Sequence, residues 1–143
     1  MIKIILLTML IGSVFTQDAV KEGDNQKKEK KSKKITLYQY EKTFNDMIHK
    51  VKRMNIELKN VKDQKTAKRV LTNIERLSEQ LLVLIQKLEE MGPPSPEYML
   101  TIEKKYGPKM QAAVLEFSTI MTDLEKKEYA SDILVALSWM KGR

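Results

Sequence analysis

Not one cysteine occurs in the 143 residues of this chain. Disulfides, thiolate metal ligands and a lipid-modified N-terminal cysteine are therefore excluded, and the fold must hold by packing alone. Histidine is nearly as scarce: the single His49 has no second histidine or cysteine to join it. A histidine-based metal centre and a cysteine–histidine catalytic pair are excluded within one chain. Glycine occurs five times and never in a cluster, so no phosphate-cradling loop is present. Inward Glu-x-x-His pairs, which carboxylate metal sites of helical bundles require, do not occur, and runs of alternating β-branched residues are missing as well. These absences indicate no cofactor, no metal and no small-molecule substrate, and the chain reads as a non-enzyme.

What is present begins with a leader. Lys3 lies ahead of an apolar run over residues 4–11, followed by the small Gly12 and Ser13 and then by the polar Gln17 and Asp18. Residues 1–16 have the layout of a secretory signal peptide, with cleavage after Ser13 or Thr16, and predict a secreted or periplasmic protein. The alternative of an uncleaved anchor meets an apolar run well short of the ~20 residues that span a bilayer. Residues 17–34 hold two apolar residues, seven lysines and four acids, too little apolar surface to offset the entropy of ordering, which predicts a disordered arm. Such an arm is a solvating tether, or a contact for phosphate or anionic lipid, although it lacks the aromatics and arginines that favour nucleic acid.

From Leu37 the pattern changes. Leu37, Tyr40, Phe44, Met47, Val51, Met54, Leu58 and Val61 are spaced alternately three and four apart, an apolar seam with a heptad period. Ala67, Val70, Ile74, Leu77, Leu81, Leu84, Leu88 and Met91 repeat that spacing out of register with the first seam. One continuous helix would bury Lys65 and Lys68, so a turn near Lys62 is expected, with Asp63 capping a second helix. Three of the four prolines fall at positions 93, 94 and 96. Gly92 and Pro93 stop the second helix, Ser95 caps the next, and Pro96 takes its first position, where the missing N–H is harmless. The flanks are acidic and helical, which disfavours a proline-reading partner.

A third helix follows Met99, Ile102, Tyr106, Met110, Ala113, Phe117, Ile120 and Leu124, with a kink expected at Pro108. Thr122 and Glu125 suggest a capping box, hence a shorter fourth helix carrying Tyr129, Ile133, Leu137 and Met140; continuation of the third helix is the other reading. Helices over 36–61, 64–91 and 96–122 are matched rods. The expected fold is all-α: an antiparallel three-helix, coiled-coil-like bundle with a shorter C-terminal fourth helix, occupying residues 35–143 as one domain. Nine methionines invite a copper or groove reading, but Met47, Met54, Met91, Met99 and Met110 fall on core positions without clustering.

Charge follows the same geometry. Residues 50–69 hold eight Lys or Arg against two acids, and residues 75–103 six acids against two bases. The bundle should be basic at one end and acidic at the other, either as internal compensation or as an anion-binding surface on Lys50, Arg53, Lys62, Lys65, Lys68 and Arg69. Beyond the seams, Ile48, Ile56, Leu71, Leu82, Val83 and Ile85 widen the apolar stripes and form a candidate partner face. Two functions stay open: an interaction or scaffold protein binding a protein partner or itself through helix faces, and a basic protein binding an anionic polymer or membrane surface.

The stretch V-K-D-Q-K-T-A-K-R-V-L-T-N-I-E-R-L-S-E-Q-L at residues 61–81, with G-P-P-S-P-E-Y, K-K-Y and Met110 downstream, resembles a group of small exported bacterial helical proteins of uncharacterised function. The similarity covers about half the chain and rests on helix starts, stops and core positions. It implies export and helices, and no activity. Gly107 and Pro108 depart from the group, in which this helix runs through.

Overall fold

A computed structural model of the chain describes residues 34–141. The expected signal peptide and residues 17–33 of the expected arm lie outside them. Three long helices, α1 (Leu37–Lys59), α2 (Gln64–Met91) and α3 (Pro96–Leu124), are followed by a 3-10 turn (Glu128–Ala130), the short α4 (Ser131–Ala136) and a second 3-10 turn (Ser138–Lys141). No strand occurs among the described residues. The expected all-α architecture of three long helices and a shorter C-terminal one is therefore the observed one.

Each start and stop has a local cause. The Gln39 side chain accepts a hydrogen bond from the Thr36 backbone N–H at 2.8 Å and opens α1. Asp63 Oδ1 accepts from the Thr66 N–H at 2.8 Å, while Thr66 Oγ1 accepts from the N–H of Asp63 at 3.0 Å. Two of the donors left over at the start of α2 are thus satisfied reciprocally. Gly92 closes α2 at φ +70, where a side chain would be strained. Ser95 Oγ accepts from the Tyr98 N–H at 3.3 Å, and Pro96 begins α3.

Helix α1 lies between the other two long helices, packing along both α2 and α3. Its direction against each follows from side-chain bonds. The Tyr40 hydroxyl, near its start, reaches the carbonyl oxygens of Met91 and Gly92 at 3.1 and 2.9 Å, so α1 and α2 are antiparallel. Glu41 pairs with Lys105, and Asn55 Nδ2 donates to the Ala113 carbonyl at 2.9 Å, so α1 and α3 run parallel. Tyr40, Phe44, Met47, Val51, Met54, Leu58 and Val61 are buried, as are Ala67, Val70, Ile74, Leu77, Leu81 and Leu88.

Three sequence expectations are corrected. Ile48 and Ile85, expected on a free partner face, are core residues, 3% and 7% exposed. Ile48 lies one heptad before Asn55, on the flank that α1 turns toward α3; a helix with two long neighbours needs a broader apolar face than one seam. Ile85 replaces the half-buried Leu84 in the core because a straight helix of 3.6 residues per turn drifts ~20° per heptad from a strict seven-residue repeat. The capping box at Thr122 does not form. Helix α3 continues to Leu124, and the Thr122 hydroxyl bonds back to the Ser118 carbonyl instead. Across Pro108 the helix is unbroken.

Candidate functional site

Between α1 and α2 lies an open groove of about 570 Å³, lined by Asp46, His49 and Lys50 from α1 and by Glu79, Gln80, Val83 and Leu84 from α2. Antiparallel packing around the turn at Lys62 places these two sets opposite one another. Charged and amide groups line it on both sides, and its apolar strip is Leu84 and Val83. Val83 is 61% exposed and its neighbour Leu82 is 36% exposed, although both lie on a helix with a well-buried opposite face. Of the remaining partner-face candidates, Ile56 is exposed at a separate place on α1 and Leu71 is half-buried against the core. The structure thus brings Val83 into the groove, with Leu82 beside it in sequence, and leaves Ile56 apart.

Asp46, Glu79 and Gln80 were not singled out from the sequence, and His49 was noted there only as the single histidine. The signal for them is pairwise: once the turn near Lys62 fixes the antiparallel hairpin, each stretch of α1 has a counterpart on α2, as Tyr40 has in Met91.

All six basic candidates lie on α1, on the first turns of α2 or in the corner between them. Lys50 is half-buried and lines the groove, whereas Arg53, Lys62, Lys65, Lys68 and Arg69 are exposed. Ion pairs among the described residues include Lys42–Asp46, Lys59–Glu116, Lys105–Glu41 and Lys126–Asp123. None of the six takes part in these four pairs. Lys65 acts electrostatically on the neighbouring Asp63 carboxyl, and Lys59 is held by Glu116. The Lys59 ammonium, hydrogen-bonded to Glu116, holds that carboxyl below the usual glutamate range, and the Asn55 amide assists. Asp63, at the same end, is also held low, here by hydrogen bonds from Thr66.

A second hollow, of about 610 Å³, lies at the opposite end, where Tyr40, Glu90, Met91, Pro93, Glu97 and Tyr98 surround the start of the described chain at Lys34 and Ile35. Burial raises the Tyr40 hydroxyl above its ordinary value, with Tyr98 contributing. That hydroxyl acts as a structural peg for the corner at Gly92.

Among the described residues no group of three or more histidine, cysteine or acidic side chains is placed to hold a metal ion. None of their helices is long and apolar enough to cross a membrane. Comparison with known proteins gives no match to any family model, curated protein or solved structure.

Proposed function

We propose that this is an exported, non-enzymatic helical interaction protein that binds a protein partner, or a second copy of itself, through a helix face. The observation that carries the reading is the exposed Leu82 and Val83 beside the groove between α1 and α2. Large apolar side chains left in water next to a concave, mixed-charge surface are the usual composition of a modest docking face. Export rests on the leader-like pattern of residues 1–16 and on the resemblance carried by residues 61–81.

The test is capture of partners from the exported fraction by the native chain and by a Leu82→Glu, Val83→Glu variant. Both positions are solvent-facing, so circular dichroism should be unchanged. A partner retained at high salt by the native chain and lost by the variant supports the reading; equal capture by both sinks it.

A second reading has its own observation, the six basic residues on α1 and around the turn at Lys62, five of them exposed. They suit an anionic polymer or an anionic membrane surface, with the lysine-rich residues 27–34 as an auxiliary contact. Heparin or anionic vesicles should then bind with a steep loss of affinity as salt rises, and a flat salt response would remove this alternative.

A further inference from the structure

The C-terminal residues after α3 raise a different question. No glycine or proline occurs between Pro108 and Gly142, yet the helix breaks after Leu124 and the chain folds back. Glu125 (φ −59, ψ −23) and Ser131 (φ −54, ψ −44) are both helical. Between them Lys127 is extended at φ −115, ψ 115. The Lys127 N–H bonds to the Leu124 carbonyl at 2.9 Å, and the Ala130 N–H to the Lys127 carbonyl at 3.1 Å. What forces this turn is burial beyond it. Ala130, Ile133 and Leu137 are completely buried, and the segment packs on α2, where the Trp139 indole N–H donates to Ser78 Oγ. Local preference therefore favours a straight helix, and one tertiary seat favours the bend.

We propose that residues 128–141 form an exchangeable strap, and that two copies of this chain swap it to give a dimer in which α3 continues straight through Lys127. The seat on α2 is already shown to fit the strap, so the exchanged form keeps every strap contact and changes only the hinge and the number of molecules. Straightening at Lys127 carries the strap, with its own turns intact, off its own α2 and beyond the present end of α3. The orientation follows from direction. Glu116 of α3 pairs with Lys59 at the end of α1, so α3 ends beside the turn at Lys62. From there the strap runs along α2 toward Ser78, parallel to that helix. A straightened strap must enter the second copy with the same sense, and this brings the two ends bearing Lys62, Lys65, Lys68 and Arg69 face to face. Like charges then oppose the dimer, and screening favours it. This interface does not use Leu82 or Val83, so it stands or falls separately from the docking face proposed above.

The native chain lacks cysteine, which makes exchange directly readable. Full-length Ser78→Cys and Trp139→Cys chains are mixed, incubated at high concentration in NaCl from about 0.01 to about 1 M, over which the Debye length falls from about 30 Å to about 3 Å, and then oxidised. Disulfides joining the two different chains are expected, their yield rising several-fold with salt, in parallel with the dimer fraction of the unmodified chain by light scattering. A Glu128→Pro change closes the argument. Proline requires the preceding residue to be extended, as Lys127 is in the bent form, and is tolerated at the first position of the following turn. This variant should keep the monomer's helicity and lose the dimer. A chain that stays monomeric up to millimolar concentration at high salt overturns the proposal, as does a dimer that survives Glu128→Pro or yields no 78–139 cross-links between chains. Should Glu128→Pro fail to fold, the cross-linking arm decides alone.

Discussion

Asn55 is the side chain at which the core departs most from apolar packing. It is buried, its amide nitrogen donates to the Ala113 carbonyl and to Glu116 Oε2, and its Oδ1 has no hydrogen-bond partner among the described residues. A buried acceptor left without a donor costs more than an apolar group of the same shape. Asn55→Leu should therefore raise stability by about 1 kcal/mol, read as a higher urea midpoint. Asn55→Asp removes the donor to Ala113 and buries a negative charge beside Glu116, and should lower stability by about 3 kcal/mol or more. A polar residue at one core position fixes register in some helical assemblies, and Asn55 stands at the α1–α3 contact. The spacing of the seams made Met54 and Leu58 legible as core. Asn55 was not legible, because its burial follows from α3 lying alongside α1, a fact of assembly that no single-helix pattern contains.

For the elements, the three long helices were legible almost to the residue because each limit has a chemical mark: Asp63 before α2, Gly92 after it, Ser95 and Pro96 before α3. Ser95→Ala should cost about 1 kcal/mol through the lost cap, measured by thermal or urea unfolding. Asp63 allows a test by acid. Its folded pKa is lowered by the Thr66 hydrogen bonds, so its contribution is fully present above the ordinary aspartate value and is lost as pH falls from there through the lowered one. Thermal unfolding of the native chain followed into acid should show stability declining over that window, and Asp63→Asn, which keeps an acceptor oxygen at the cap, should remove the Asp63 share of the decline and leave the share of Glu116, which is also held low. The boundary at Lys127 had no mark to read. Thr122 and Glu125 resembled a cap, but with helix-forming residues on both sides the break depends on the burial of Ile133 and Leu137 elsewhere.

Across the whole molecule, cations gather around the turn at Lys62 as the composition of residues 50–69 implied, and the apolar surplus was only partly read. Ile48 and Ile85 had gone into the core, Leu82 and Val83 had not, and the difference lies in helical drift and in the number of neighbours each helix meets. Reversal of Lys65, Lys68 and Arg69 to Glu separates the remaining functions without touching Ala67 or Val70. Under the polyanion reading the variant should lose most of its affinity for heparin, with the log–log salt slope shrinking by about one unit per lost contact. Under the helix-face reading a protein partner should be retained, its association rate altered in a way that salt removes. The hydrogen bond between Trp139 and Ser78 has a consequence in spectroscopy. Trp139 is the chain's sole tryptophan, so excitation at the red edge of indole absorption, where tyrosine hardly absorbs, reports on the strap alone. Undocking should shift the emission to longer wavelength, whereas exchange between two copies, which restores the same surroundings, should leave its colour unchanged while slowing the decay of its anisotropy.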